Sequence, residues 1–126
     1  MVKPATSNVK RAETHSLNTK INKEVFDNFR DYCAYRGYPM NVLIEIFMKQ
    51  YSSKKFNFDN KEIDKWAKDN SETNNLNTTF NKEIYLDFKN YCKYNDYYMK
   101  DVITAFMDKV VNCNYIIEFV ELKENK

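Results

Sequence analysis

Apolar and polar residues alternate in two short segments, residues 16–21 and 75–80. Alternation with a period of two is typical of a β-strand with one apolar and one polar face. The residues on the apolar faces are Leu17, Thr19, Ile21, Leu76, Thr78 and Phe80. The residues on the opposite faces are Ser16, Asn18, Lys20, Asn75, Asn77 and Thr79, which all carry hydrogen-bonding side chains.

A helix is predicted after each strand, because apolar residues recur at i, i+4, i+7 and i+8. These residues are Val25, Phe29, Tyr32 and Cys33 in the first case, and Ile84, Phe88, Tyr91 and Cys92 in the second. Asn22 and Asn81 are suited to cap the two helices at their N-termini. Gly37 can adopt the left-handed conformation that ends the first helix, and Asn95 or Asp96 takes this place in the second.

A further helix follows in each case, again indicated by apolar residues at helical spacing. The residues are Met40, Leu43, Ile44, Phe47, Met48 and Tyr51, then Met99, Val102, Ile103, Phe106, Met107 and Val110. Pro39 suits the first turn of its helix, since it has no N–H to lose there. We interpret both stripes as core.

These two units are copies of one internal repeat. Residues 17–51 align without a gap to residues 76–110, fifty-nine positions later, with fifteen identities in thirty-five positions. A lone strand cannot satisfy its backbone groups, and two short helices bury too little surface to be stable alone. We therefore expect the strands of the two copies to pair and four helices to cover their apolar face.

The order of strand, Asn cap, helix, Gly turn and second helix resembles the ribbon-helix-helix family of DNA-binding proteins. The resemblance covers residues 15–51 and 74–110. It implies a mainly α fold, in which two tandem ribbon-helix-helix repeats form an intramolecular pseudo-dimer. Such a fold has a two-stranded antiparallel ribbon and four core helices, and the ribbon lies in the major groove of DNA.

The positions of the two repeats and the composition of the segments around them predict the domain organisation. We expect a flexible basic N-terminal arm at 1–14, one repeat at 15–51, a linker at 52–73, a second repeat at 74–112 and a C-terminal extension at 113–126.

The linker and the extension lie outside the repeats. In the linker, Asp59 is suited to cap a short helix in which Ile63, Trp66 and Ala67 share a face, with Trp66 packed on the pseudo-dimer. The apolar segment 114–122 has three alternatives: it prolongs the last helix, forms an edge strand or joins two molecules.

The resemblance assigns base reading to the outward side chains of the strands, here Ser16, Asn18, Lys20, Asn75, Asn77 and Thr79. It assigns phosphate binding to the start of the second helix of each repeat. Basic residues of the arm and of the first helix starts are added to these positions. The predicted phosphate contacts are Lys10, Arg11, Lys23, Met40, Asn41, Lys82, Met99 and Lys100. The sequence departs from the family here, because Pro39 removes a donor and no Ser or Thr caps the turn.

Composition excludes several other functions. With one Gly in the chain, no glycine-rich phosphate loop can be written, and a single His15 with three scattered Cys gives poor support for a zinc site. Neither paired catalytic carboxylates nor a nucleophile elbow is present, so we expect no enzyme, no cofactor and no metal. The absence of a long apolar run or signal peptide predicts a soluble cytoplasmic protein.

Charge is concentrated at the N-terminus. The chain carries +2 overall, whereas residues 1–23 hold five basic residues against Glu13 alone. A basic arm of this kind can lie along DNA phosphates or enter a minor groove, and the alternative is an inert tail.

The function expected from the resemblance is sequence-specific binding of double-stranded DNA. The expected setting is a plasmid or phage, in which the protein is a conjugation accessory at an origin of transfer or a transcriptional repressor. Further partners are a second copy of the chain and a relaxase or other plasmid protein. The alternative is a helical protein–protein interaction module, such as an antitoxin-like or phage inhibitor protein, that uses Trp66 and the C-terminal segment.

Overall fold

The computed structural model describes residues 13–113 and the backbone of residues 115–118 and 121–124. These residues form four strands and five helices. In chain order they are β1 (Thr14–Asn22), α1 (Lys23–Arg36), α2 (Met40–Ser52), α3 (Asn60–Ala67), β2 (Thr73–Asn81), α4 (Lys82–Tyr94), α5 (Met99–Cys113), β3 (Tyr115–Glu118) and β4 (Glu121–Glu124).

Strands β1 and β2 pair antiparallel, as the two alternating segments predicted. Asn18 lies opposite Asn77 at the centre of the ladder, and Thr14 lies opposite Asn81 at one end. Asn18 and Asn77 are also repeat equivalents, since they are fifty-nine positions apart. A local two-fold axis therefore passes between them and relates the two strands of this ribbon.

The inner face of the ribbon is apolar and lies against the helices. Its four large side chains are buried: Leu17, Ile21, Leu76 and Phe80. Beneath them α1 packs on α5, and α2 packs on α4. Each first helix of a repeat is thus completed by the second helix of the other repeat, so the two copies share one core.

The helix ends follow the sequence signals. The side chains of Asn22 and Asn81 each accept a hydrogen bond, at 3.0 Å, from the backbone N–H three residues later. Gly37, with φ of 72°, ends α1, and its repeat equivalent Asp96 follows α4 with φ of 68°. The two helix–helix turns therefore have the same backbone form despite different residues.

The expected fold class, two tandem ribbon-helix-helix repeats with four core helices, is wrong. Helix α3 lies between α2 and β2, so the order of the main body is β-α-α-α-β-α-α with five helices in the described residues. A short helix capped by Asp59 was predicted in this segment, and a capping box with Glu62 is present. However, Ile63 is only 2% exposed and joins the core, because the apolar face of α3 packs on α5.

The centre of the core is aromatic. Phe47 and Phe106 stack with ring centroids 4.2 Å apart and planes 14° from parallel. They occupy equivalent positions of the two repeats, so the two-fold axis that passes between Asn18 and Asn77 also passes between these rings. Phe56, which precedes α3, packs edge-on against both rings, at 5.1 and 5.9 Å.

The C-terminal segment forms a separate hairpin. Helix α5 ends at Cys113, and β3 then pairs antiparallel with β4 in a second two-stranded sheet. The backbone of β4 lies beside α2. Of the three alternatives for this segment, prolongation of the last helix is thereby excluded, and the strands pair with each other and not with the β1–β2 ribbon.

Most of the predicted basic arm, residues 1–12, lies outside the described residues. Among the helices that are described, none combines the length and the apolar character needed to cross a bilayer.

Candidate nucleic-acid interface

The candidate interface is the outer face of the β1–β2 ribbon, on the side away from the helices. The six predicted base-reading side chains all lie on this face and are all exposed. Among the described residues, none of the six has a hydrogen-bond or ion-pair partner for its side chain. Their donors and acceptors are therefore available to a ligand.

The six side chains form three cross-strand pairs. In order along the ribbon these are Ser16–Thr79, Asn18–Asn77 and Lys20–Asn75. We name the first pair the hydroxyl end and the last pair the lysine end, with the asparagine pair at the centre.

The size and chemistry of this face suit the major groove of DNA. Four residue steps of about 3.3 Å give the face a length of roughly 13 Å, and paired strands lie about 4.8 Å apart. The major groove is about 12 Å wide and admits a two-stranded ribbon. There an asparagine can bond bidentately to adenine, a lysine can reach the guanine acceptors, and a threonine methyl can contact thymine.

The ribbon is held firmly at both ends. The backbone N–H of Lys23 donates to the carbonyl of Glu72, and the N–H of Lys82 donates to the carbonyl of Glu13, both at 2.8 Å. These two bonds extend the ladder past its last residue pairs and into the first turns of α1 and α4. The outward side chains are consequently presented on backbone that is hydrogen-bonded along its whole length.

Two of the predicted phosphate contacts, Lys23 and Lys82, lie at the ends of the ribbon beside carboxylates. The Lys23 Nζ is 2.9 Å from Asp27, and the Lys82 Nζ is 3.5 Å from Glu13. The hydrogen bond from Lys23, together with its charge, lowers the pKa of Asp27, and the same bond raises the pKa of Lys23. Because each lysine has a carboxylate partner, its field at a nearby phosphate is reduced.

The start of α2 lies near the hydroxyl end, since Glu45 on this helix accepts a hydrogen bond from the Asn81 N–H at 2.8 Å. Of the predicted phosphate contacts here, Met40 is half-buried and Asn41 is exposed. Pro39 is the N-cap residue and forms no side-chain capping bond, as its sequence implies. The first turn contains no acidic residue, so this helix start is uncharged.

The start of α5 lies near the lysine end, where Lys100 and Lys20 line one small concavity with Trp66. Met99 is half-buried, whereas Lys100 is exposed and its Nζ is 3.4 Å from the buried carboxylate of Asp101. The equivalent of Asp101 in the first repeat is the exposed Val42. The two helix starts therefore differ in charge.

A second carboxylate lies close to the lysine end. Asp69, in the segment after α3, accepts a hydrogen bond from the Asn22 amide at 3.0 Å and another from the Ser71 hydroxyl at 2.8 Å. These hydrogen bonds lower the pKa of Asp69, and the charge of Lys100 acts in the same direction. Asp69 thus stays ionised, and it fixes the end of β1 to the α3 segment.

The strands are longer than the alternation in the sequence suggested, and two residues of the outer face were missed. Thr14 and Thr73 both point outward, are exposed and occupy equivalent positions of the repeats. Their hydroxyls extend the polar face by one residue at the start of each strand. Alternation could not have found them, because the inward positions beside them, His15 and Asn74, are polar.

The remaining candidates lie elsewhere. The predicted arm contacts Lys10 and Arg11 fall outside the described residues.

Burial raises the pKa of the Cys33 and Cys92 thiols to about 12, so these side chains are protonated components of the core at neutral pH. Trp66, the proposed anchor of an interaction module, is half-buried against the core, with the Lys65 Nζ 4.7 Å from its ring centroid.

Comparison with known proteins adds no further constraint. No protein-family model matches the chain, and neither a curated protein nor a solved structure matches it. Function is therefore inferred from the residues of the chain itself.

Proposed function

We propose that the chain is a non-enzymatic, sequence-specific DNA-binding protein that inserts the β1–β2 ribbon into the major groove of a duplex. The observation that carries this proposal is the outer face of the ribbon. Six exposed polar side chains without partners in the described residues project from backbone that the helices support from the other side.

The charge on this face supports a nucleic-acid partner over simple solvation. Eight residues of β1 and β2 point outward and are exposed, and Lys20 is the one charged residue among them. Charged residues make up 30% of the whole chain, so about two would be expected on an ordinary solvated face of eight residues. A face with amides, hydroxyls and one cation, but no carboxylate, can approach bases and phosphates without repulsion.

The resemblance of residues 15–51 and 74–110 to ribbon-helix-helix proteins supports the same function. It also extends the proposal to the process that is served, either repression of transcription or assembly at an origin of transfer on a plasmid. In both settings a second copy of the chain is a suitable partner on neighbouring DNA, and a relaxase is a suitable partner at a transfer origin.

The proposal is tested by selecting bound sequences from a pool of random DNA duplexes. The enriched duplex and a scrambled version of it are then compared in binding measurements with the variants Asn18→Ala and Asn77→Ala. Each variant is expected to lose about 1–3 kcal/mol on the enriched duplex, a factor of roughly 5 to 150, and little on the scrambled one. The matched control is Asn90→Ala, an exposed asparagine on α4 away from the ribbon, which should leave both affinities unchanged.

Two outcomes would count against the proposal. Equal weakening on both duplexes would mean that the two asparagines do not read bases. Failure to enrich any sequence, with no binding to duplex DNA, would favour the interaction module instead.

A further inference from the structure

The two ends of the ribbon are chemically different, although the local two-fold axis makes them equivalent in backbone. The axis exchanges Lys20 with Thr79 and Ser16 with Asn75. As a result, the lysine end presents a cation and an amide, whereas the hydroxyl end presents only two hydroxyl groups.

The helix starts beside the two ends have a matching difference. Lys100 lies at the start of α5, beside the lysine end, and shares a concavity with Lys20. Its equivalent at the start of α2, beside the hydroxyl end, is the uncharged Asn41. In both equivalent pairs, Lys20 with Thr79 and Lys100 with Asn41, the lysine lies at the lysine end and the uncharged residue at the hydroxyl end. The Asp101 carboxylate, 3.4 Å from the Lys100 Nζ, limits the pull of Lys100 on phosphates, whereas Lys20 has no ion-pair partner among the described residues.

We infer that the target duplex is asymmetric and is bound in one orientation, with a guanine under the lysine end. This inference rests on the proposed function. An ammonium group bonds well to the two neighbouring acceptors of guanine, N7 and O6, and no other base offers two acceptors at this place in the major groove. A threonine hydroxyl at the equivalent position has no such preference, so the guanine is specified at one end only.

The amide of Asn75, paired with Lys20, adds a second difference on the same side. An asparagine pairs bidentately with adenine through N6 and N7, while its equivalent Ser16 can bond to several bases. The central Asn18–Asn77 pair has a flank on each side, and the flank at the lysine end is therefore expected to have the stronger base preferences. The preferred DNA site should therefore have a palindromic centre, a defined base sequence on one flank and a variable base sequence on the other.

The test repeats the random-duplex selection with the parent chain, Lys20→Thr and Thr79→Lys. The parent should enrich a site with guanine on one flank. Lys20→Thr should remove the guanine and lower the affinity for the parent site by roughly 5- to 150-fold. Thr79→Lys should bring a guanine to both flanks and make the site more nearly palindromic. Lys89→Thr, at an exposed position on α4, is the matched control and should leave the enriched site unchanged.

The outcomes separate this inference from the proposed function. A palindromic site enriched by the parent chain would overturn the inference and leave DNA binding intact. Lys20→Thr that weakens the enriched and the scrambled duplex equally would assign Lys20 to a phosphate and overturn the inference as well. Failure of the parent to enrich any site would overturn both. Circular dichroism of each variant checks that the protein is folded, so that a loss of binding is not caused by unfolding.

Discussion

The two halves of the molecule, residues 14–53 and 73–112, have the same framework and different surfaces. In both halves a strand runs into a helix capped by asparagine, a left-handed residue ends that helix, and a second helix enters the shared core. Most buried positions of one half are buried in the other, as Phe47 and Phe106 illustrate. Two of the four equivalent outward pairs of the ribbon differ, as in Lys20 and Thr79.

This difference separates what the fold requires from what a ligand would require. Buried residues of each half pack against the other half, so a change on one side must suit both. Outward residues of the ribbon touch no partner in the described residues and are free to differ. On the outer face of the ribbon the repeats differ at two of four equivalent pairs, Ser16 with Asn75 and Lys20 with Thr79, and agree at the other two.

The largest expected effect comes from the core, where the halves should behave alike. Phe47→Ala and Phe106→Ala should each lower the free energy of unfolding by about 3–5 kcal/mol, because each removes a fully buried ring that stacks on the other. The double variant should lose less than the sum, since the two rings are in contact. Urea denaturation followed by circular dichroism measures these changes.

Tyr35→Ala, at a residue that is 89% exposed on α1, serves as the control and should change the free energy of unfolding by less than about 0.5 kcal/mol. Because α1 packs on α5 and α2 on α4, all variants should unfold in one transition. Two separate transitions would mean that the halves fold independently, contrary to the shared core.

A smaller effect is expected at the starts of the second helices, where the halves should differ. Lys100→Asn should weaken DNA binding by at most about 1 kcal/mol on all sequences and reduce the slope of log affinity against log salt by at most about 0.9, since the phosphate contact that is lost is already weakened by Asp101. The reciprocal change Asn41→Lys should steepen the slope by a similar amount. Titrations at several salt concentrations give both slopes, and a slope that neither change alters would remove these helix starts from the interface.

Much of the framework could be predicted because its signals are local. Alternation located the strands, Asn22 and Asn81 marked the helix starts, and the repeat implied that the strands pair. The fold class could not be predicted in the same way. Nothing local in residues 52–73 distinguishes a short helix on the surface from one whose Ile63 completes the core, because that depends on the shape of α5 beneath it.

Tertiary contacts also changed one core assignment. Helical spacing placed Ile84 on the buried stripe of α4, yet Ile84 is half-buried and its neighbour Tyr85 is 5% exposed. Tyr85 is covered because the ring of His15 on β1 stacks on it, with centroids 4.2 Å apart. A contact between residues seventy positions apart cannot be inferred from periodicity within one helix.

For the candidate site, the six outward residues followed from alternation alone, whereas the pairing of Lys82 with Glu13 depended on the strand register.

The smallest expected effect concerns the turns that follow α1 and α4, where the halves have one backbone form and different residues. Gly37 and Asp96 both adopt positive φ, near 70°, which costs little for glycine and about 1 kcal/mol for most other residues. A Cβ added at Gly37 would meet no atom within 4 Å, so backbone conformation alone sets the cost of a side chain there. Gly37→Asp should therefore lower the free energy of unfolding by about 1 kcal/mol.

The reciprocal change Asp96→Gly should raise the free energy of unfolding, by about 0.5 kcal/mol. The gain is smaller than the loss at Gly37 because a new glycine also increases the conformational entropy of the unfolded chain. Denaturation midpoints of the two single variants and of the exchanged pair measure both effects. The turns are far apart in the sequence and share no hydrogen-bond partner among the described residues, so the exchanged pair should equal the sum of the single changes. Equal stability of Gly37→Asp and the parent would show that the left-handed turn tolerates aspartate without strain, and the two halves would then be matched in their turns as closely as they are in their core.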